Sequence, residues 1–261
     1  MNQVLKKIWC SLAAGTGALA DLTWPPACGA CRNPKVSADG LCAACGVRLL
    51  RLVSLAYCPR CSTSIGPNIP VPQDGCAGCP ATLPRFQRVF RLGPYADPLR
   101  SLIHKLKYGR KDTMLNRLGR MLGRAVAARI GDRPLELVMP TAMHWRRRLV
   151  RGCDHARSLG AAVAKELHLP LGNELIRVRN TPPQVHLPRS RRIENVRGAF
   201  AVHRGAGLAG AHILLVDDVT TTGATANEAA RTLLRAGAAR VVLAVVAKSE
   251  PPTAYAQHIS N

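Results

Sequence analysis

The chain has 261 residues, 47% of them hydrophobic, and carries 37 Lys and Arg against 15 Asp and Glu, for a formal net charge of +22. That apolar content excludes a disordered tail, the length allows one large domain or a small one beside a medium one, and no run reaches the roughly 18 apolar residues of a membrane span. Self-repulsion of this size needs anionic partners or counterions, so nucleic acid, phosphorylated substrates and an acidic protein surface are the partners the charge suggests.

Taken in chain order, "LKKIWCSLAAGTGALAD" has two lysines, an apolar segment and Ala-Leu-Ala before Asp21, the outline of a secretory signal. Gly15, Thr16 and Gly17 interrupt that segment, and a short amphipathic helix packed on the body of the protein is the alternative. Eight cysteines then fall into four Cys-x-x-Cys pairs: Cys28/Cys31, Cys42/Cys45, Cys58/Cys61 and Cys76/Cys79. Two intervening residues let one tight turn present both thiolates to a single tetrahedral ion, so four pairs predict two structural Zn2+ sites. A disulfide framework or redox pairs would not repeat one motif four times over so short a stretch. Sequential pairing gives ribbon-like loops, and interleaved pairing satisfies the same spacing. Cys10 and Cys153 stand outside the pattern as buried or incidental residues.

Pro and Gly in "SIGPNIPVPQDGCAGCPATLP" mark loops and predict a boundary near residue 83, separating a metal-dependent module at 1–83 from a larger domain at 84–261. "FQRVFRLGPY" alternates apolar and basic residues as an exposed strand or hairpin would. Asp97 and Pro98 start a helix, residues 114–130 repeat the helical period, "LELVMP" reads as a short buried strand, and residues 154–168 form another helix. "HILLVDD", "ATANEAARTLLRAGA" and "RVVLAVVA" then read as strand, helix and strand. This alternation predicts an α/β fold, a parallel sheet flanked by helices, with ligands at the carboxyl ends of the strands.

Asp217 and Asp218 sit at such an end, and the Thr/Gly loop after them opens a helix. Backbone N–H groups there converge on an anion, and the hydroxyls of Thr220, Thr221, Thr222 and Thr225 add donors around a phosphate. The carboxylates are left to accept hydrogen bonds from vicinal sugar hydroxyls or to hold Mg2+. A simple capped helix start would explain the threonines but not the paired acids. The triphosphate-binding loop G-x-x-x-x-G-K-[ST] is absent, and "GAGLAG" precedes its strand instead of following one.

"ILLVDDVTTTGAT" resembles the phosphoribosyl-diphosphate (PRPP) signature of type I phosphoribosyltransferases, and with the zinc pairs ahead of it the chain is similar to the ComF family of bacterial competence-associated proteins. "DLTWPPACGAC", "YADPLRSLIHKLKYGRK", "HWRRRLVRG" and "RVRNTPPQVHLPRSRRIENVRGAF" recur in that family's order, so the resemblance covers nearly the whole chain. It implies a type I phosphoribosyltransferase-like sheet behind a double zinc ribbon, a cytoplasmic protein with a helix at its start, and Mg2+ bound with PRPP. By the same resemblance Asp217 and Asp218 contact the ribose, and Thr221, Thr222, Gly223, Ala224 and Thr225 cradle the 5′-phosphate after Val219 and Thr220. Pyrophosphate would lie after "LELVMP", with Lys105, Arg146, Arg147, Arg148 and Arg151 as candidates to stabilise it and Lys105 and Arg151 acting beside the aspartates in catalysis. The chain departs from the family's Pro-Val-Pro-Leu and Phe-Asn-Gln at "PTAM" and "CDH", where pyrophosphate chemistry would occur, so the resemblance reaches sugar-phosphate binding more directly than transfer.

Two basic stretches, "HWRRRLVR" with Trp145 and "RSRRIENVR", read as loops. An aromatic among arginines can hold single-stranded nucleic acid, and a plain solvated basic face that also binds pyrophosphate is the alternative. Two functions follow. One is a Mg2+-dependent phosphoribosyltransferase with an unknown acceptor, its ligand being PRPP or another sugar phosphate. The other is a non-catalytic zinc-ribbon protein that binds single-stranded DNA or competence proteins during transformation.

Overall fold

The apolar strand segments assemble in the computed structural model, which describes residues 27–37, 40–66, 69–70, 75–80, 84–108, 112–132, 134–182, 187–188 and 191–256. The N-terminal segment with its signal-or-helix alternative lies outside them. Among the described residues four parallel strands form one sheet, β1 (Val89–Pro94), β2 (Leu137–Pro140), β5 (His212–Thr220) and β6 (Arg240–Lys248), in the order β1-β6-β5-β2. Side chains alternate across a strand. Val241, Leu243 and Val245 of β6 enter one core with Ile213 and Leu215 of β5, while Val242, Ala244 and Val246 enter the other with Leu214 and Val216. Both faces are covered, and all nine residues of β6 are buried.

Helix α7 (Ala224–Arg235) covers the first face with Ala226, Ala229, Ala230 and Leu233. On the other face lie α2 (Leu99–Tyr108), α3 (Asp112–Ala127) and α5 (His155–Leu167). Asp97 accepts from the Ser101 N–H and hydroxyl at the start of α2, and Asp154 caps α5 by accepting from the Arg157 N–H at 3.1 Å. α3 and α5 approach closely because Gly119 faces Ala162: a Cβ built at Gly119 would sit 2.4 Å from the Ala162 Cβ.

Helix α1 (Ala43–Ser54) starts inside the first cysteine group. Cys45, Leu49 and Leu52, spaced on one helical face, enter the same core as Phe90, Leu92 and Leu118, so the described part of the cysteine-rich segment shares a core with the sheet.

Strand β1 corrects a sequence expectation. It is a fully buried edge strand paired in parallel with β6, not an exposed strand or hairpin. The cysteine-rich segment covers its outer edge: the Val89 N–H donates to the Pro59 carbonyl at 2.7 Å. Its basic residue Arg91 is buried because Glu250 neutralises it at 2.8 Å. Apolar and basic alternation therefore reflects two different buried environments there.

The basic stretches also differ from expectation, since each contains a short helix. α4 (Trp145–Arg151) is capped by His144, whose Nδ1 accepts from the Arg146 N–H at 3.3 Å, and is stopped by Gly152 at φ 69°. α6 (Arg191–Val196) follows β3 (Leu175–Arg177), and β3 pairs antiparallel with β4 (Phe200–Val202) in a separate small sheet. That pair was not anticipated, because three-residue strands leave almost no periodic signal.

Candidate functional site

The corner at Asp217 and Asp218 is built by β5, a tight turn and α7. Asp217 Oδ1 accepts from the Asp218 N–H at 2.8 Å, and Asp218 Oδ1 accepts from the Val219 N–H at 2.7 Å, which orients both carboxylates. Gly223, at φ 77°, closes the turn in a conformation that L side chains adopt at a cost. Thr222 Oγ1 accepts from the Ala224 N–H at 3.4 Å as the helix begins. The end of β6 braces the loop from behind. Lys248 Nζ donates to the Thr221 carbonyl, and the Ser249 N–H donates to the Thr220 carbonyl at 2.8 Å.

A small recess of about 30 Å³ lies within this turn, bounded by Thr220, Thr221, Gly223, Ala224 and Thr225 beside Asp217. It adjoins a cavity of about 500 Å³ whose wall includes Asp217, Asp218, Val219, Thr221 and Thr225. Three guanidinium-bearing residues line the same cavity: Arg147 from α4, Arg177 from β3 and Arg192 from α6. Burial, and then neighbouring Arg147, pull Arg177 down to about 10 against the opposing effect of Asp217, so Arg177 remains cationic at neutral pH. Thr141, at the end of β2, also lines the cavity, and its buried Oγ1 has no hydrogen-bond partner. A cavity with paired carboxylates and helix-start amides on one wall and arginines on another suits a ligand carrying hydroxyls at one end and phosphates at the other.

The residues singled out from sequence are only partly gathered here. Arg147 lines the cavity, but Arg148 lines a neighbouring one and pairs with Asp154 at 3.2 Å. Arg146 packs over the Trp145 ring at 5.3 Å. Lys105 Nζ donates to the Ala30 carbonyl at 3.0 Å, in the first cysteine group and away from the residues lining the corner. Arg151 is the last residue of α4, and its side chain lies outside the described residues. Arg177, Arg192, Tyr95 and Ser249 also line the cavity and were not assigned from sequence. Ser249 was within reach of the strand-end rule, because it directly follows β6. Arg192 lay in a stretch read as basic, and Arg177 lay in a stretch quoted only for the family resemblance.

The cysteines resolve into two groups, Cys28/Cys31/Cys42/Cys45 and Cys58/Cys61/Cys76/Cys79, so the pairing is sequential. The two knuckles repeat one hydrogen-bond pattern: the Arg32 N–H donates to the Cys28 carbonyl and the Ser62 N–H to the Cys58 carbonyl. Arg32 and Ser62 share the left-handed conformation, at φ 65° and 61°. Four thiolates about 2.3 Å from one tetrahedral ion lie about 3.8 Å from each other. The sulfurs fit that geometry, with Cys31–Cys42 and Cys61–Cys76 at 3.6 Å, Cys58–Cys79 at 3.7 Å and Cys76–Cys79 at 4.0 Å. Burial opposes ionisation of Cys28 and Cys58, yet the N–H groups of their knuckles outweigh it and hold the two thiols at about 6 and about 7. Cys153 stands apart and exposed, its Sγ 3.3 Å from His155 Nε2.

Fold and corner together define a type I phosphoribosyltransferase-like domain carrying an N-terminal module whose cysteine groups fit a double zinc ribbon. Residues 154–258 match the phosphoribosyl transferase domain model. The chain is 34% identical over 230 residues to DNA utilization protein YhgH of Salmonella typhi, an alignment covering 84% of this chain and 96% of that protein. It is 30% identical over 213 residues to Competence protein F of Haemophilus influenzae, covering 79% and 90% respectively. Adenine phosphoribosyltransferase from Thermoanaerobacter pseudethanolicus superposes with a TM-score of 0.35 at 15% identity, over 53% of this chain and 82% of that one. The chain belongs to the ComF family.

Proposed function

We propose that the corner binds PRPP with Mg2+ and that the protein is a phosphoribosyltransferase-type member of the competence and DNA-utilization machinery. One observation carries this reading: Asp217, Asp218, Thr221 and Thr225 share a single cavity with Arg147, Arg177 and Arg192. In this reading the aspartates accept hydrogen bonds from the ribose hydroxyls and the loop amides hold the 5′-phosphate, which fixes the sugar at both ends. The three arginines stabilise negative charge on the departing diphosphate while the anomeric carbon becomes oxocarbenium-like. The hard carboxylate oxygens of Asp217 and Asp218 suit Mg2+, which when bound would neutralise diphosphate charge. The two cysteine groups hold structural Zn2+, with thiolates that suit a reducing, cytoplasmic compartment.

Calorimetric titration of the zinc-loaded protein with PRPP and Mg2+ tests the reading. Losing two charge-assisted hydrogen bonds at about 1.5–3 kcal/mol each predicts a 10²- to 10⁴-fold weaker affinity for Asp217→Asn combined with Asp218→Asn. Unchanged affinity would refute it.

A second reading, single-stranded DNA binding, draws on the name of the Salmonella relative, on Arg147 of α4 and Arg192 of α6 in the corner cavity, and on Trp145, 58% exposed in the neighbouring cavity. Phosphate contacts predict an affinity that falls steeply with salt, because each neutralised phosphate releases a counterion. A shallow salt slope, or binding that survives removal of both arginine clusters, would leave this reading without support.

A further inference from the structure

Beside the corner lies a larger cavity of about 740 Å³ that the phosphoribosyl reading does not use. Thr141, Ala142, Met143 and Arg177 line both cavities and so form a shared wall. Neither Asp217 nor Asp218 reaches the larger one. Its charge is strongly positive: Arg148, Arg157 and Arg177 face Asp154, the one acid of its lining among the described residues. That acid is already engaged, accepting from Arg148 at 3.2 Å and from the Arg157 N–H at 3.1 Å.

Two polar groups on the shared wall are left over. Thr141 is 6% exposed and its Oγ1 has no hydrogen-bond partner, and the buried Nε of Arg177 has none either. An orphaned donor or acceptor costs about 1–3 kcal/mol, so two at one wall point to a polar ligand that completes them. The apolar part of the lining is flat and aromatic at one place. Trp145 forms it, with Arg146 over its ring at 5.3 Å and the His144 ring 5.7 Å away. His144 is held below its usual range by burial and then by Arg146, Arg177 and Arg147, and with Nδ1 accepting from the Arg146 N–H it presents a neutral ring.

From this lining we infer that the larger cavity is a second ligand site, taking a phosphorylated nucleotide whose base lies against Trp145 and whose phosphate meets Arg148 and Arg157. An inorganic phosphate would leave most of the volume empty, and a neutral base would leave the arginines unanswered. The nucleotide can arrive free or as the phosphorylated end of a DNA strand. The site goes beyond the PRPP reading and does not depend on it.

Full-length zinc-loaded protein should be titrated calorimetrically with dAMP, deoxyadenosine and inorganic phosphate, and then with one short oligonucleotide carrying either a 5′-phosphate or a 5′-hydroxyl. We expect saturable dAMP binding at least tenfold tighter than either fragment, weakened at least tenfold by Trp145→Ala and by Arg157→Ala, both at exposed positions. Asp218→Asn should weaken PRPP binding at least tenfold and leave dAMP binding in place, which separates failure of this site from failure of the corner. If the oligonucleotide binds and free dAMP does not, a tenfold preference for the 5′-phosphate assigns the site to strand ends. The proposal is overturned by measurable dAMP binding that is no tighter than phosphate, by binding insensitive to both substitutions, or by no dAMP binding together with no end preference.

Discussion

Replacing Glu250 by Ala tests how the cysteine-rich module is joined to the sheet. Its carboxylate bonds Arg91 at 2.8 Å, with side-chain exposures of 0% for Arg91 and 2% for Glu250. It also accepts from the Ser64 N–H at 2.8 Å and the Ser64 hydroxyl at 2.5 Å, so it ties the segment behind the second knuckle to the end of β6. Arg91 in turn donates to Ser64 Oγ at 2.6 Å and packs over the Tyr57 ring at 5.0 Å. Burial pulls the Arg91 pKa down and Glu250 pushes it up, so the substitution leaves burial without its main counterweight. Removing one partner of a buried pair costs about 3–5 kcal/mol, because the other charge stays buried and unpaired. At about 2 °C per kcal/mol for a chain of this size, the melting temperature should fall by about 6–10 °C.

Thermal unfolding of zinc-loaded Glu250→Ala, followed by circular dichroism, measures this directly. A double variant, Glu250→Leu with Arg91→Met, should recover part of the loss, since an apolar pair of similar volume needs no ion pairing while buried Ser64 still lacks its acceptor. A shift under 2 °C for Glu250→Ala, or no recovery in the double variant, would show that the ion pair does not join the two segments. Because Ser249 lines the cavity beside Asp217 and Asp218 and adjoins Glu250, Glu250→Ala should also weaken any PRPP binding there at a temperature where the protein is still folded.

The same Gly→Ala change should act with opposite signs at two helical sites. Gly46 has nothing within 4 Å of a built Cβ, so Gly46→Ala should raise stability by about 1 kcal/mol through helix propensity. Gly119→Ala should lower it, since forcing a methyl against Ala162 costs about 1–3 kcal/mol and outweighs that gain; denaturant midpoints for the two variants check the sign. Cys58→Ser should halve the zinc content measured by mass spectrometry and destabilise the protein by several kcal/mol, since metal binding contributes folding free energy. Zinc retention should also weaken as pH falls, because protons compete for the thiolates, and a chelator titration at pH 8 and pH 6 gives the direction.

Much of the corner was legible because it is local. Asp217, Asp218 and the 221–225 loop are consecutive, and their strand-turn-helix context follows from an apolar run, a Thr/Gly turn and a helical period. The cysteine groups were legible as four pairs, for the same reason. The other half of the site was not. Arg177 and Arg192 reach the cavity from β3 and α6, elements too short to announce themselves, and a basic stretch looks the same whether it lines a site or faces solvent. Lys105 shows the converse: a plausible cation near the right motif turns instead to Ala30, 75 residues away.

Sequence alone therefore determined the elements whose cause lies within a few residues: the knuckles, the order of the central strands and helices, and the carboxylate pair at a strand end. Tertiary structure decided which cysteine pairs come together, that β1 is buried, and which arginines share a cavity with Asp217 and Asp218. It also decided that Arg91 is paired by Glu250 across a separation of 159 residues. The division has a physical basis. Hydrogen-bonded turns and side-chain periodicity are set by neighbours along the chain, whereas a buried charge is tolerable only when a distant partner arrives with it, and nothing beside Arg91 in the sequence specifies that partner.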